Sequence, residues 1–147
     1  MSLVSEVAAL KPYPSAVTFM MDWLESNFAA LAPTSEGVRV STDLPSPGVP
    51  LLPYVQVFAV SGTRDRRNAY PVIDVSVFGS SYVGAETLAE QIDAALLGYP
   101  LTVSSGGRSV LVDRVDVVSN PVELPWDTES TARRFRFQAT YQLSLRR

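Results

Sequence analysis

Alternation between apolar and polar positions is clearest in residues 69–98, where it predicts a strand followed directly by a helix. Within residues 70–79, apolar side chains recur at every second position on one face, which is the period of a strand. Within residues 81–97 they recur at spacings of three and four, which is the period of an amphipathic helix. Ser80 and Ser81 offer hydroxyls that can cap that helix, and Gly98 is placed to end it. Such a unit requires a sheet on which the helix can lie.

A second amphipathic helix is predicted near the start of the chain. Pro12 and Pro14 exclude helix before Ser15, which is a suitable N-cap. Apolar residues then recur at helical spacing as far as Pro33, and we expect the helix to extend that far. They are Val17, Met20, Met21, Leu24, Phe28 and Leu31.

Period-two patterns predict several further strands. They cover residues 37–41, 54–60, 101–104 and 109–119. The final strand has the cleanest alternation, with one apolar and one polar face. The apolar face carries Phe135, Phe137, Ala139, Tyr141, Leu143 and Leu145. The polar face carries Arg134, Arg136, Gln138, Thr140, Gln142, Ser144 and Arg146. At about 3.3 Å per residue this strand would span roughly 40 Å, so we expect it to bend, to overhang its sheet or to meet another subunit.

Loops are predicted between these strands. Four prolines exclude regular structure from residues 43–53. Residues 61–69 are polar and longer than a tight hairpin needs, which favours a functional loop. A hairpin turn is predicted at residues 105–108, and residues 120–131 are interpreted as loop.

Together these elements predict an α+β fold. We expect a mostly antiparallel sheet of about four to six strands, with two main helices packed on one face, in a single domain over residues 1–147. A chain of this length buries about 68–70% of its unfolded surface, so it needs no disulfide or metal to hold a core.

Composition narrows the chemistry. The chain has no cysteine and no histidine, which removes thiol nucleophiles, zinc sites built on those ligands and imidazole bases. A net charge of −3 argues against a generally basic nucleic-acid binder. Charged residues make up 18% of the chain, below the usual value of about 25%, and this favours self-association. The first ten residues do not read as a signal peptide and no apolar run is long enough to span a bilayer, so we expect no membrane partner.

Candidate catalytic groups are few. Asp74, Asp113 and Asp116 lie in predicted strands, where a solvated sheet face or local ion pairs are the simpler interpretation. The spacing of Asp113 and Asp116 points their side chains to opposite faces. The glycine turns match no phosphate-binding motif. A serine nucleophile would depend on the single lysine, Lys11, as its base. We therefore expect no enzyme activity, no cofactor and no metal.

Two arginine clusters are the remaining candidates. Arg64, Arg66 and Arg67 lie in the predicted loop with Asp65 between them. Arg133 and Arg134, with Arg136, precede or begin the last strand. Arginine clusters can be solvated surface, can bind an acidic protein surface or can clamp phosphates. All three interpretations stay open, although the first cluster contains no aromatic side chain that would stack on bases.

The order of these segments resembles the tail terminator, or tail-completion, proteins of long-tailed (siphovirus-type) bacteriophages. The stretches that carry the resemblance are VRVSTDLP at 38–45, LPYVQV at 52–57, IDVSVFG at 73–79, the alanine-rich helix at 85–97 and the arginine-led last strand ending in LSLR at 143–146. They contain no catalytic signature, and they transfer no functional residue.

The resemblance implies a structural virion protein. Copies of the chain would form a ring, typically a hexamer, that caps the tail tube, ends tube growth and offers a joining surface to the head-tail connector protein. DNA would only pass through the ring. Localisation would be the head-proximal end of the virion tail, with assembly in the host cytoplasm. Candidate interface residues, for a neighbouring subunit or the tail tube protein, are Arg64, Asp65, Arg66, Arg67, Arg133 and Arg134.

Three alternatives remain on sequence grounds. A head-side completion protein would bind the connector instead of the tube. A nucleic-acid-binding module would use the arginine clusters, and its affinity would fall steeply with salt. An enzyme would depend on the scattered carboxylates and is the weakest of the three.

Overall fold

The computed structural model describes residues 13–32, 39–44, 53–105, 108–124 and 134–146. The described part contains two α-helices, one 3-10 turn and six strands. In chain order they are α1 (Ala16–Asn27), the 3-10 turn (Ala29–Leu31), β1 (Val40–Ser41), β2 (Tyr54–Arg64), β3 (Asn68–Gly79), α2 (Tyr82–Leu96), β4 (Leu101–Ser105), β5 (Arg108–Leu124) and β6 (Phe135–Arg146).

The six strands form one sheet in the order β1-β2-β3-β6-β5-β4. Only β1 runs parallel to its neighbour, and every other pair is antiparallel. Both helices contribute to the one apolar core on the same face of the sheet. The predicted α+β class, its antiparallel sheet and its two helices on one face are therefore confirmed.

The core fills the space between the helices and the inner face of the sheet. Alternate residues of β3 and β6 supply that face, as the period-two pattern predicted. The fully buried sheet residues include Ile73, Tyr141, Leu143 and Leu145. The helices add Phe19, Met20, Trp23, Leu24, Ala85, Ala89, Ile92 and Leu96. The core includes Tyr141 because its hydroxyl donates to Asp93 Oδ1 at 2.7 Å, so its one polar atom is satisfied.

Serine caps begin both helices. Ser15 Oγ accepts from the backbone N–H of Thr18 at 3.2 Å, and Ser81 Oγ accepts from that of Gly84 at 3.0 Å. The predicted extension of the first helix to Pro33 is wrong, because α1 ends at Asn27 and Phe28 is extended. That extended residue brings the Phe28 ring into an edge-on contact with the ring of Trp23, 5.8 Å between centroids.

The predicted loop at residues 61–69 is also wrong. Residues 61–64 continue β2, and they pair with β3 as far as Arg64 and Ala69, so only residues 65–67 form the turn. Their serine, glycine and threonine suggested a loop. β3 is itself paired to β6 as far as Asn68, however, and that ordered strand gives β2 a template to continue along. At Gly62 a Cβ atom would lie 2.8 Å from Pro71 Cα, so glycine permits this close approach.

The predicted loop at residues 120–131 begins too early. β5 continues to Leu124, where it pairs with Arg136 of β6. Three shifts of register along this pair accommodate extra residues, and Pro121 falls within the last of them. The hairpin between β4 and β5 is confirmed by the pairing of Ser105 with Arg108. Of the predicted strand at 37–41, the described residues show Val40–Ser41; the proline loop at 45–52 lies outside the described residues.

Candidate functional site

The first arginine cluster lies at the turn between β2 and β3, which we call the arginine turn (residues 64–67). Asp65 organises it, since its Oδ1 accepts from the backbone N–H groups of Arg67 and Asn68, each at 2.8 Å. The backbone N–H of Asp65 in turn donates to the carbonyl of Asn68 at 2.8 Å. These backbone hydrogen bonds lower the pKa of the Asp65 carboxyl. Asp65 therefore shapes the turn, and the arginines are what the turn presents outward.

Arg64 differs from its two neighbours in the turn. Its guanidinium lies over the ring of Tyr13, 5.6 Å from the centroid. The same residues border a shallow cavity of about 350 Å³ between the start of α1 and the β2-β3 hairpin. Arg66 and Arg67 are exposed at the tip. The predicted candidates Arg64, Asp65, Arg66 and Arg67 are thus brought together at one end of the sheet.

The second arginine cluster lies at the other end. Arg134 directly precedes β6, whose first residue Phe135 pairs with Gly79 at the far end of β3. Twelve residues of β3 separate the two ends, a distance of about 40 Å. The Arg134 side chain is buried, with 7% of it exposed, and Arg133 lies outside the described residues. Of the five predicted interface residues that the structure describes, Arg134 therefore lies apart from the other four.

The face of the sheet opposite the helices carries a polar network. Asp74 is only 8% exposed and accepts from Gln138 Nε2 at 3.0 Å and from the Thr140 hydroxyl. Arg136 donates through Nη2 to Gln138 Oε1 at 3.0 Å and to Ser76 Oγ at 3.2 Å. Burial lowers the pKa of the Arg136 guanidinium, and the nearby Asp74 charge opposes that shift. The interpretation of Asp74 as solvated was wrong, because its carboxylate is nearly buried and hydrogen-bonded to residues of the neighbouring strand. Spacing along the sequence does not reveal such partners.

Asp113 and Asp116 form two separate local ion pairs, as the simpler interpretation predicted. Asp113 Oδ2 lies 2.7 Å from Arg146 Nε, and Asp116 Oδ1 lies 2.9 Å from Arg114 Nε. The side chains of both arginines are mostly exposed, so these pairs contribute little to stability. The arrangement holds no pair of converging acids.

The end of the sheet beyond β3 has a different surface, which we call the neutral end (residues 79–84). It includes the first turn of α2, where the Val83 side chain is 69% exposed and Tyr82 is partly exposed. The Tyr82 ring makes edge contacts with those of Phe135 and Phe137. Beside it lies an open cleft of about 410 Å³ with no charged side chain in its lining. The lining residues are Ala30, Pro53, Gly79, Ser80, Ser81, Gly84, Ala85, Thr87, Leu88 and Gln91.

Within the described ranges, the structure has no cluster of three acidic residues arranged to hold a metal ion. The same ranges contain no helix long and apolar enough to cross a membrane. The described surface therefore has a rigid arginine turn at one end. At the other end residues 79–84 carry no charge, although Glu86 lies within hydrogen-bond reach of Tyr82 and Arg136 of β6 lies at the same end of the sheet. Sequence reasoning missed the neutral end, although Tyr82 and Val83 interrupt the polar start of a helix and could have drawn attention to it.

Comparison with known proteins gives only distant likeness. No protein-family model matches the chain, and no curated protein matches it. One similar solved chain comes from the virion of a native gene transfer agent particle, at 19% identity and a TM-score of 0.48, over 91% of this chain and 100% of that chain. Another has 18% identity and a TM-score of 0.47, over 86% and 92%. At these values the likeness concerns the backbone path and says nothing about partners.

Proposed function

We propose that this protein is a structural virion protein of the tail terminator type. Copies of it form a ring, a hexamer if the sequence resemblance holds, that caps the tail tube and joins it to the head-tail connector. The observation that carries the proposal is the chemical difference between the two ends of the sheet. A cap that stops one assembly and receives another needs two unlike surfaces on one rigid body.

The arginine turn is the proposed tube-facing surface. Arg66 and Arg67 are exposed, and the hydrogen bonds of Asp65 hold the backbone that carries them. A pre-organised turn loses little conformational entropy on binding, so its cations are suited to an acidic patch on a protein partner. The sequence resemblance, which names a tube as the first partner of such proteins, supports this assignment.

The neutral end is the proposed connector-facing surface. Its exposed side chains from Ser80 to Val83 carry no charge, and the cleft beside them has an uncharged lining. Apolar surface of this kind, flanked by polar residues, is typical of protein contact sites.

The two ends can be tested separately with the purified chain, the tail tube protein and the connector protein of its own virus. The double change Arg66→Glu and Arg67→Glu should abolish tube capping and leave connector binding intact. Val83→Asp should do the reverse, and an acidic residue in the first turn of α2 is compatible with the helix dipole. Light scattering and negative-stain microscopy of tube length report capping.

Three results would decide against the proposal. A wild-type protein that neither associates with itself nor responds to tube protein would overturn it. Binding to the connector alone would favour the head-side alternative. Binding to DNA at low salt that disappears steeply as salt rises, together with indifference to both proteins, would favour a nucleic-acid module.

A further inference from the structure

The sheet has two long borders that its own described strands leave uncovered. β1 pairs only with Val55 and Gln56, so none of the described strands lies beyond residues 57–64 of β2. β4 pairs only with residues 108–112, so the same is true beyond β5 from residue 113 onward. We call residues 57–64 the β2 border and residues 113–120 the β5 border. Each presents backbone N–H and C=O groups in a direction where the described chain supplies no strand.

The β2 border lacks most of the usual protection of an exposed edge. Soluble proteins guard such edges with charged side chains, proline, very short strands or β-bulges, and of these the border has only the register shift at Val60. From Val57 to Thr63 this border contains no charge and no proline, and Val60 at its centre is 52% exposed. An uncharged edge of this length is a surface for pairing with another strand.

The two borders lie at the same height on opposite sides of the sheet. Strand pairing can be followed straight across it in rows. One row consists of Arg64, Ala69, Leu145 and Val112. Another consists of Ala59, Ile73, Tyr141 and Val117. The covered parts, at Val55 and at residues 108–112, lie toward opposite ends, so the uncovered windows lie at matching levels.

Strand direction makes the borders complementary between copies. β2, β3, β6 and β5 alternate in direction, so β5 runs opposite to β2. Rotation about an axis along the strands preserves direction, and it therefore brings the β5 border of one copy antiparallel to the β2 border of the next. Such a head-to-tail contact is the heterologous kind that closes into a ring.

Exposed valines mark the middle of both borders. Val60 lies at the register shift between Ala59 and Ser61, and Val118 lies at the shift between Val117 and Ser119. Both therefore flank the row that joins Ala59 to Val117. Val118 is 61% exposed, more than Val60, and neither side chain belongs to the core. At the end of the β2 border, Arg64 lies in the same row as Val112 of β5. The next residue after Val112 is Asp113, so the two borders carry opposite charges at this level.

We propose that copies of this chain join edge to edge, with the β2 border of one paired antiparallel to the β5 border of the next. Val60 of one copy then packs near Val118 of its neighbour. This rests on the proposed ring and names the strands that close it. The result is one continuous sheet around the assembly, with the arginine turn and the neutral end left at its two rims.

The chain contains no cysteine, which permits a clean crosslinking test. The double variant Val60→Cys, Val118→Cys is mixed with tube protein and treated with a bifunctional maleimide. Within one copy three strand spacings, roughly 14 Å, separate the two positions along the sheet, so the reagent is chosen shorter than that and favours links between copies. A ladder of covalent oligomers ending in a closed ring is expected. The single-cysteine variants are the matched controls and should give no ladder.

Charge supplies a second readout. Val60→Lys and Val118→Glu should each lower the ring fraction by roughly tenfold, since each buries an unpaired charge. The two changes together should recover much of it through a Lys–Glu contact between copies. Glu90→Gln, on the exposed side of α2, should leave the ring fraction unchanged. Circular dichroism of each variant confirms folding.

The failures are distinguishable. Edge pairing would be overturned if rings form on the tube but the double-cysteine variant gives no crosslinked ladder and neither charge change alters the ring fraction. The proposed terminator function would be unaffected by that result. Single-cysteine variants that crosslink as efficiently as the double variant would indicate a two-fold contact and overturn the head-to-tail arrangement. Absence of any ring and of any tube capping would defeat the proposed function itself.

Discussion

The two faces of the sheet are both well buried at its centre, but by different physical means. On the inner face, Ile73 and Leu143 are fully buried under the helices. They stabilise the fold because their apolar area is removed from water. On the outer face, Ser76 is equally buried and Asp74 nearly so, yet hydrogen bonds across the strands enclose them. An apolar face tolerates imperfect partners, whereas a polar face is stable only while each group keeps its partner.

This contrast predicts how each face responds when one side chain is shortened. A change on the inner face should lower the free energy of unfolding in proportion to the side-chain volume removed. A change on the outer face should lower it according to how many hydrogen-bonding groups are left without a partner.

The largest expected effect is on the inner face. Leu143→Ala removes a fully buried side chain and leaves a cavity in the core, so the free energy of unfolding should fall by about 2–5 kcal/mol in urea titration. The next residue on the same strand, Ser144, points to the other face and is the control. Ser144→Ala should change stability by no more than about 0.5 kcal/mol. Equal losses would mean that the face assignment of β6 is wrong.

A smaller effect is expected on the outer face. Asp74→Ala leaves the donors of Gln138 and Thr140 without their acceptor, so unfolding should become easier by about 1–3 kcal/mol. The matched control is Asp116→Ala, which breaks an exposed pair with Arg114 and should cost about 0–1 kcal/mol. If the Asp74 variant is as stable as the control, the buried network does not stabilise the fold.

Tyr141 combines both kinds of stabilisation, because its buried ring lies on the apolar inner face and its hydroxyl forms a hydrogen bond. Tyr141→Phe keeps the ring and removes the hydrogen bond to Asp93, so unfolding should become easier by about 0.5–1.5 kcal/mol. A measurement of stability against pH gives a sharper signature. Burial, aided by Asp93, raises the pKa of the Tyr141 hydroxyl in the folded state.

The sign of that alkaline effect follows from linkage. The unfolded tyrosine loses its proton near pH 10 while the folded one keeps it, so this contribution is complete below about pH 10 and declines as the pH rises further. The phenylalanine variant should lack this part of the decline. Identical slopes above pH 10 for both proteins would contradict the assigned shift.

The smallest effect concerns the arginine turn, which belongs to neither face. Asp65→Ala removes the acceptor for two backbone N–H groups, so exchange of the Arg67 and Asn68 amide protons should become faster with little change in global stability. Asp65→Asn retains an acceptor oxygen and is the control. Because the folded pKa of Asp65 is lowered, wild-type protection should persist below the usual aspartate range and be lost as the pH falls through that lowered pKa. Protection in the asparagine variant should not follow pH in this way.

Local patterns were enough to predict most elements of this fold. The alternation in β3 and β6 and the helical spacing in α2 were correct within one or two residues, because both patterns report which side chains face a core. Ser15 was correct as a cap, and of the two candidates Ser80 and Ser81 the structure uses Ser81, because capping depends on residues three positions apart.

The errors have a common origin in partners distant along the chain. Residues 61–64 and 120–124 read as loop because their own composition is poor in strand formers. They are strands because an ordered neighbour supplies the hydrogen bonds. Asp74 read as solvated because Gln138 and Thr140, which enclose it, lie more than sixty positions away.

Order along the chain specified the face of each strand and the cap of each helix, since both depend on residues a few positions apart. Folding added the sheet order, the buried network around Asp74 and the separation of the arginine turn from Arg134. It also set Val60 and Val118 at one height on opposite borders. These features arise from pairing between distant segments, and no short window of residues carries the information on which strands will meet.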